Sequence, residues 1–206
     1  THPHADHIGG MADVVENFDI GKIYMPKVAD SQIPTTKTYE NLLQAVQDKG
    51  LQITQAQGGM TILDQDGTKL EFFSPNREEY SDLNDYSIVT KLTYGDTSFL
   101  FTGDAEEEPE QDMLSRSAYD LSSTVLKMGH HGSSTSSTEA FLDAVNPQIA
   151  IISCGQDNDY GHPHEETLEK LQDRQITTYR TDEQGTILPP TNGQTVEIES
   201  GLPSVG

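Results

Sequence analysis

The stretch THPHADHIGG, residues 1–10, opens the sequence and predicts its fold. It holds three of the chain's seven histidines and one aspartate within six residues, a density that core packing does not require. Imidazole nitrogens and carboxylate oxygens are the usual ligands of zinc and similar metals. His2 and His4 point to the same side of an extended segment, whereas the neighbours Asp6 and His7 diverge. We therefore expect one short loop to address two metal ions.

The glycine pair at the end of this stretch lets the backbone turn sharply into a helix. Apolar residues recur at helical spacing from Met11 to Phe18, which predicts a helix over about 9–18. The metal loop would then lie between this helix and a strand that precedes Thr1. The alternatives are an incidental polar loop or the remnant of a purification tag, but a tag would be a plain histidine run.

The remaining four histidines form two further clusters, residues 130–133 (HHGS) and 160–164 (YGHPH). Asp104 follows an apolar strand at Phe101-Thr102-Gly103, where it either binds metal or caps the next helix. His130 and His131 are adjacent and cannot both face one metal easily, and the sequence leaves open which one binds. His162 is either the last metal ligand or a general acid.

His-x-His-x-Asp-His followed by Gly-Gly resembles the signature of the metallo-β-lactamase superfamily. Later segments are similar, in order, to the soluble domain of ComEC-type DNA-uptake proteins: residues 84–89, 99–106, 126–133, 151–155 and 160–163. Secreted or lipid-anchored relatives and phosphorylcholine esterases share the pattern. The resemblance covers nearly the whole chain, and it implies an α/β (α+β) fold, the four-layer αβ/βα sandwich.

The family's domain has several strands before its first metal motif, whereas this motif begins at residue 2. We therefore expect residues 1–200 to form a metallo-β-lactamase-like hydrolase domain that lacks its first N-terminal strands. Residues 201–206 would form a tail.

The resemblance implies a dinuclear centre with two divalent metal ions, zinc foremost and manganese as the alternative. The first metal would be held by His2 and His4, and the second by Asp6 and His7. Asp104 would bridge them, because a carboxylate has two oxygens.

Either His130 or His131 would add a metal ligand, and the other would contact substrate or support a ligand. We expect Asp6, His130 and His162 to take part in catalysis. Asn84 lies where many superfamily members carry a metal-binding histidine, and we expect it to orient substrate. Ser133 would cap the following helix or bind a phosphate through it.

Two dications would ionise a shared water near neutral pH and so provide a hydroxide nucleophile. The leading hypothesis is a metal-dependent hydrolase of phosphodiesters or nucleic acid, as in ComEC-like proteins. One alternative is a phosphorylcholine esterase-like or lactam or lactone hydrolase. Another is a fragment that binds metal without catalysis.

The net charge is −22, from 34 acidic and 12 basic residues. Such a surface repels polyanions unless salt or metal screens it. It predicts a salt-adapted (halophilic) source and an extracellular or cell-surface location rather than a cytoplasmic one.

A nuclease usually carries a basic track, but Lys127, Arg174 and Arg180 are isolated, so a nucleic-acid substrate would depend on the metals. The sequence has no transmembrane stretch and leaves the oligomeric state open.

Periodicity and turn residues predict the remaining elements. Hairpins are expected at Asp66-Gly67 and Gly95-Asp96. The predicted helices are 36–48, 106–115, 138–145 and 165–174, and the predicted strands are 22–25, 51–55, 61–63, 69–73, 86–94, 97–102, 123–128, 148–153, 176–180, 185–188 and 195–199.

Overall fold

A computed structural model of the chain describes residues 1–202. Its α-helices are α1 (Ala5–Ile8), α2 (Met11–Asn17), α3 (Lys37–Asp48), α4 (Glu107–Leu114), α5 (Glu139–Val145), α6 (Glu165–Asp173) and α7 (Thr181–Gln184). Its strands are β1 (Ile23–Pro26), β2 (Ile53–Ala56), β3 (Thr61–Gln65), β4 (Thr68–Phe72), β5 (Thr90–Tyr94), β6 (Thr97–Phe101), β7 (Val125–Lys127), β8 (Ile149–Ile152), β9 (Thr177–Arg180), β10 (Thr186–Leu188) and β11 (Glu199–Leu202). Short 3₁₀ turns cover Asp30–Gln32, Leu83–Tyr86 and Gly129–Gly132.

The central sheet has seven strands in the order β3-β4-β5-β6-β7-β8-β9. Strands β3 to β6 are antiparallel, and the two predicted hairpins are present at β3–β4 and β5–β6. Strands β6 to β9 are parallel, and α4, α5 and α6 make the crossovers between them. The loops that follow β6, β7 and β8 therefore emerge at one edge of the sheet, where ligands of open α/β sheets bind.

The sheet lies inside a four-layer arrangement. Helices α4 to α6 pack on one face, where Phe141 and Leu171 contact a core that includes Leu100 and Leu126. On the other side, the parallel pair β1–β2 packs against β3 and β4, with the Tyr24 and Phe72 rings in edge contact at 5.3 Å. Helices α1 to α3 cover the outside of that pair. These layers confirm the predicted αβ/βα sandwich.

Local sequence signals set several element boundaries. The Thr36 side chain accepts a hydrogen bond from the Tyr39 N–H at 3.3 Å and begins α3. Thr138 caps α5 in the same way through the Phe141 N–H. Such caps satisfy backbone donors that a helix leaves unpaired at its start.

Four local predictions differ from the structure. The strand predicted over 86–94 begins only at Thr90, because the chain first forms the 3₁₀ turn Leu83–Tyr86. A separate helix, α1, forms inside the metal loop, and α7 forms between β9 and β10. The last strand is Glu199–Leu202, paired with β10, rather than 195–199. The strand does not begin at residue 195 because a turn precedes it. In this turn the Asn192 side chain accepts hydrogen bonds from the Gln194 and Thr195 N–H groups, which are then not available for pairing with another strand.

Residues 201–202, expected to begin a tail, lie in β11, and residues 203–206 lie outside the described part of the chain. The limits of the domain stay a prediction. Within residues 1–202, no helix has both the length and the apolar character that crossing a bilayer requires.

Candidate metal centre

The opening loop meets the edge of the sheet at Asp104. His7 Nε2 lies 3.0 Å from Asp104 Oδ2. The Asp104 N–H donates to Ser87 Oγ at 2.9 Å, and the backbone reaches this position through Gly103. Gly103 has a φ of +57°, and a Cβ there would lie 2.8 Å from Ser87 Oγ. Glycine is therefore required for this approach, since other residues rarely adopt that conformation.

Four side chains converge at this point: Asp6, His7, Asp104 and His131. Their potential ligand atoms all lie within 4.8 Å of one another. His131 Nε2 is 3.2 Å from Asp6 Oδ2 and 3.6 Å from Asp104 Oδ2. Two imidazoles and two carboxylates form a donor set of the kind that divalent metals bind.

The ring of His131 is oriented by its other nitrogen. His131 Nδ1 lies 2.7 Å from the carbonyl oxygen of Ser153, which can only accept a hydrogen bond. Nδ1 therefore carries the proton, and in the neutral ring the lone pair of Nε2 faces Asp6 and Asp104. A backbone carbonyl on the second nitrogen is the usual support of a metal-binding histidine.

Asp104 is buried, and its Oδ1 has no hydrogen-bond partner among the described residues. Burial alone would raise the pKa of Asp104, but the His131 and His7 rings outweigh it when they donate hydrogen bonds to the carboxylate, and they then hold the pKa far below its usual range. An unpaired buried carboxylate oxygen is costly, and a bound cation would satisfy it. The residues present therefore fit a divalent metal ion.

His2 and His4 form a second group of donors beside the first. His2 Nε2 lies 2.7 Å from His4 Nδ1 and 3.8 Å from Asp104 Oδ2. Burial lowers the pKa of His2 to about 3, so its ring is neutral. Its Nδ1 contacts Ser87 Oγ at 3.0 Å. Asp104 thus borders both groups, as its expected bridging position requires.

His130 lies away from the four-residue cluster. Its Nδ1 is 2.8 Å from Glu106 Oε1, an oxygen that also accepts from Thr135 Oγ1 and from the Asn84 amide. The hydrogen bond with Glu106 raises the pKa of His130 and lowers that of Glu106. His130 and His131 have φ values of +46° and +56°, a backbone conformation that is uncommon for residues other than glycine. In this conformation the His130 ring contacts Glu106 and the His131 ring contacts the Ser153 carbonyl.

The other expected residues border the centre. The His162 ring centroid lies 5.4 Å from that of His130 and 6.1 Å from that of His131, and burial lowers its pKa to about 4. Asn84 is buried, and its Oδ1 has no partner among the described residues. Ser133 Oγ accepts from the Thr135 N–H. The expectation that Ser133 caps a helix is wrong, because Thr138 caps α5.

Sequence reasoning missed Glu106 and Ser87. Glu106 begins the run Glu106-Glu107-Glu108, which is typical of the first turn of a helix. Only its position two residues after Asp104 could have indicated that it belongs to the site. Ser87, which contacts both His2 and Asp104, gives no signal of its own in the sequence.

Comparison with known proteins gives a consistent result. The family model described as the metallo-beta-lactamase superfamily matches residues 1–156. The chain is 34% identical to ComE operon protein 3 of Bacillus subtilis (strain 168) over 187 residues, 91% of this chain and 23% of that protein. It is 37% identical to competence protein ComA of Neisseria gonorrhoeae over 122 residues, 59% of this chain and 18% of that protein.

A further relative is recombination protein 2 of Haemophilus influenzae, 30% identical over 171 residues, 83% of this chain and 19% of that protein. The chain thus spans less than a quarter of the length of these three relatives. Among solved structures, CmlA, a diiron beta-hydroxylase from Streptomyces venezuelae, superposes with a TM-score of 0.55 at 15% identity, covering 87% of this chain and 42% of that one. That similarity shows that the two proteins share a fold.

Proposed function

The chain belongs to the metallo-β-lactamase superfamily, and from this premise we propose that it is a metal-dependent hydrolase of phosphodiesters, nucleic acid among them. The observation that supports this most directly is the buried, unpartnered Oδ1 of Asp104 beside two groups of metal donors. We propose zinc as the metal, with manganese as the second candidate.

Asp6, His7, Asp104 and His131 would hold one divalent ion. His2 and His4 would hold the other, and Asp104 would serve both. When bound, the metals would polarise a phosphoryl oxygen and lower the pKa of a water molecule.

The side chains around the cluster have separate tasks in this proposal. The Asp6 carboxylate is 60% exposed, so its oxygen that does not bind the metal could accept a proton from an attacking water at the open side of the centre. Glu106 fixes His130 through Nδ1, which leaves Nε2 to donate a proton to the leaving oxygen, with His162 beside it. The Asn84 amide, held by Glu106, and Ser133 would contact the substrate.

Two observations bear on the phosphodiester substrate, one in favour of it and one against a long polyanion. In favour, two relatives carry names that refer to competence and to recombination, and recombination acts on DNA. The net charge of −22 acts against binding a long polyanion, so the bound metals would have to supply the local positive charge. An extracellular or cell-surface location stays a prediction.

The proposal is tested by turnover of bis-p-nitrophenyl phosphate and of nitrocefin, each with added zinc or manganese. We expect hydrolysis of the phosphodiester alone, and a loss of about 100-fold or more in Asp104→Asn, since even residues that only support metal ligands are worth up to that much. Asp13→Asn, an exposed carboxylate on α2, is the matched control and should retain activity.

Hydrolysis of nitrocefin but not of the phosphodiester would contradict the proposed substrate. A protein that binds no metal and hydrolyses neither compound would instead support the non-catalytic alternative.

A further inference from the structure

Tyr160 is the outermost of three aromatic rings that lead away from the metal centre. It is 79% exposed, although a tyrosine ring is largely apolar. Its ring lies 5.6 Å from the His162 ring at an interplanar angle of 17°. The His162 ring in turn lies 6.1 Å from that of His131 at 19°. The three nearly parallel rings connect the candidate metal ligand His131 to an open aromatic face.

The loop that carries Tyr160 is fixed by hydrogen bonds. The Asn158 side chain donates to the His162 carbonyl at 2.6 Å and to the Gly155 carbonyl at 2.9 Å, and it accepts from the His162 N–H at 3.0 Å. The His164 N–H donates to the Gly132 carbonyl at 3.0 Å, next to His131. The exposed ring is therefore held at a set position relative to the metal centre.

The charges of the molecule limit how a substrate can be held near this ring. Arg77, Arg174 and Arg180 are paired with acidic side chains. Lys127 is half-buried, and its Nζ donates to the Met128 carbonyl. With these four cations engaged and a net charge of −22, we expect contacts that do not depend on positive charge to add to the binding energy of the metals. Stacking of a base on an aromatic ring is such a contact, and it tolerates any base.

We propose that Tyr160 is the stacking surface for a nucleobase next to the scissile phosphate, so that the substrate is a nucleoside phosphodiester. This inference rests on the proposed phosphodiester hydrolysis for its substrate class. A base that stacks on Tyr160 must have left its own base stack, which favours single strands, strand ends and short nucleotides over intact duplex.

The chain contains no tryptophan, so Tyr160→Trp creates a single fluorescent reporter at the proposed surface. In the presence of zinc, we expect thymidine 5′-monophosphate to quench this fluorescence with saturation, and ribose 5-phosphate, which lacks a base, to bind at least about fivefold more weakly. The control is Tyr94→Trp, because Tyr94 is 40% exposed at the opposite edge of the sheet and should show no saturable quenching.

Steady-state kinetics with the p-nitrophenyl ester of thymidine 5′-monophosphate give a second measurement. Tyr160→Ala should raise KM about tenfold, the size expected when one base loses its aromatic partner, with kcat changed less than KM. Tyr160→Phe should restore KM, because the ring and not the hydroxyl makes the contact.

Equal quenching by the two phosphates, or an unchanged KM in Tyr160→Ala, would overturn the stacking proposal while leaving hydrolysis intact. If the wild-type protein hydrolyses no phosphodiester, the proposed function fails, and the fluorescence titration, which needs no turnover, still decides whether Tyr160 binds a base.

Discussion

Two adjacent residues, His130 and His131, have different environments in this protein. His131 donates through Nδ1 to the Ser153 carbonyl and turns Nε2 toward Asp6 and Asp104. His130 instead contacts Glu106. The sequence shows only that the two rings diverge. Their partners come from other loops, so the structure alone separates the ring that can bind metal from the ring that faces a carboxylate.

His131→Ala should weaken metal binding by about 10- to 100-fold, whereas His130→Ala should retain metal and lose turnover. The reason is that, of these two rings, only that of His131 lies among the donor atoms around Asp104. Metal analysis after dialysis measures the stoichiometry, for which we expect about two ions per wild-type chain. Metal loss in His130→Ala with full retention in His131→Ala would reverse the assignment.

Glu106 should act by positioning His130. Glu106→Gln should lower kcat by about tenfold or more, within the usual contribution of general acid–base catalysis, without a loss of bound metal. The decrease should be larger for a phenyl than for a p-nitrophenyl leaving group, because the poorer leaving group depends more on a donated proton.

The matched control for that experiment is Glu107→Gln, the next residue, whose exposed side chain contacts Gln111 on the surface of α4. A loss of kcat independent of the leaving group, or the same loss in the control, would exclude a positioning role for Glu106.

Among the helices, α4 and α5 are joined by one buried carboxylate, that of Glu110. It accepts hydrogen bonds from the Ser137 N–H at 2.5 Å and the Thr138 N–H at 2.9 Å, just before α5 begins. Burial raises the pKa of Glu110 to about 7, against the opposing effect of these hydrogen bonds and of the Lys170 charge. The contact holds the two helices together on one face of the sheet.

This raised pKa predicts a pH dependence of stability. Between the unfolded pKa of 4.5 and the folded pKa of about 7, the folded protein binds the extra proton. The Glu110 contribution is therefore fully present below pH 4.5 and is lost as pH rises through 7. From pH 5 to pH 7, the wild-type free energy of unfolding should fall by about 2 kcal/mol relative to that of Glu110→Gln.

Denaturant unfolding of both proteins at several pH values measures this difference, and the titration of the metal-site histidines is common to both and cancels. Parallel pH profiles for the wild type and the variant would show that Glu110 does not titrate in this range.

At the scale of the whole molecule, the candidate metal centre joins two layers. His2, His4, Asp6 and His7 lie with α1, on the side of the β1–β2 pair, whereas Asp104 and His131 follow strands of the seven-stranded sheet. Negative charge is in excess throughout the chain, so bound cations would also reduce repulsion at this junction. A salt-adapted source for this charge stays a prediction.

Adding zinc to the metal-free protein should therefore raise its Tm. Free metal at 100 times its Kd stabilises the native state by about 2.7 kcal/mol, which corresponds to roughly 5–10 °C for a chain of this size. Differential scanning fluorimetry with zinc and with a chelator measures the shift. Asp104→Asn should show a much smaller shift, and an equal shift in that variant would place the metal elsewhere.

The sequence by itself predicted both hairpins, and through its resemblance to the superfamily it predicted the layered architecture. The hairpins could be predicted because each depends on residues a few positions apart. The motif from His2 to His7 is local in the same sense, since its spacing within one loop already specifies a metal-binding segment.

Tertiary structure alone brought Asp6 to His131, 125 residues away, and His7 to Asp104, 97 residues away. It also placed Ser87 and Glu106 at the site and left Asp104 Oδ1 without a partner. Local spacing carries no information about such contacts, because they depend on which strands become neighbours in the sheet and which loops those strands bring to a shared edge.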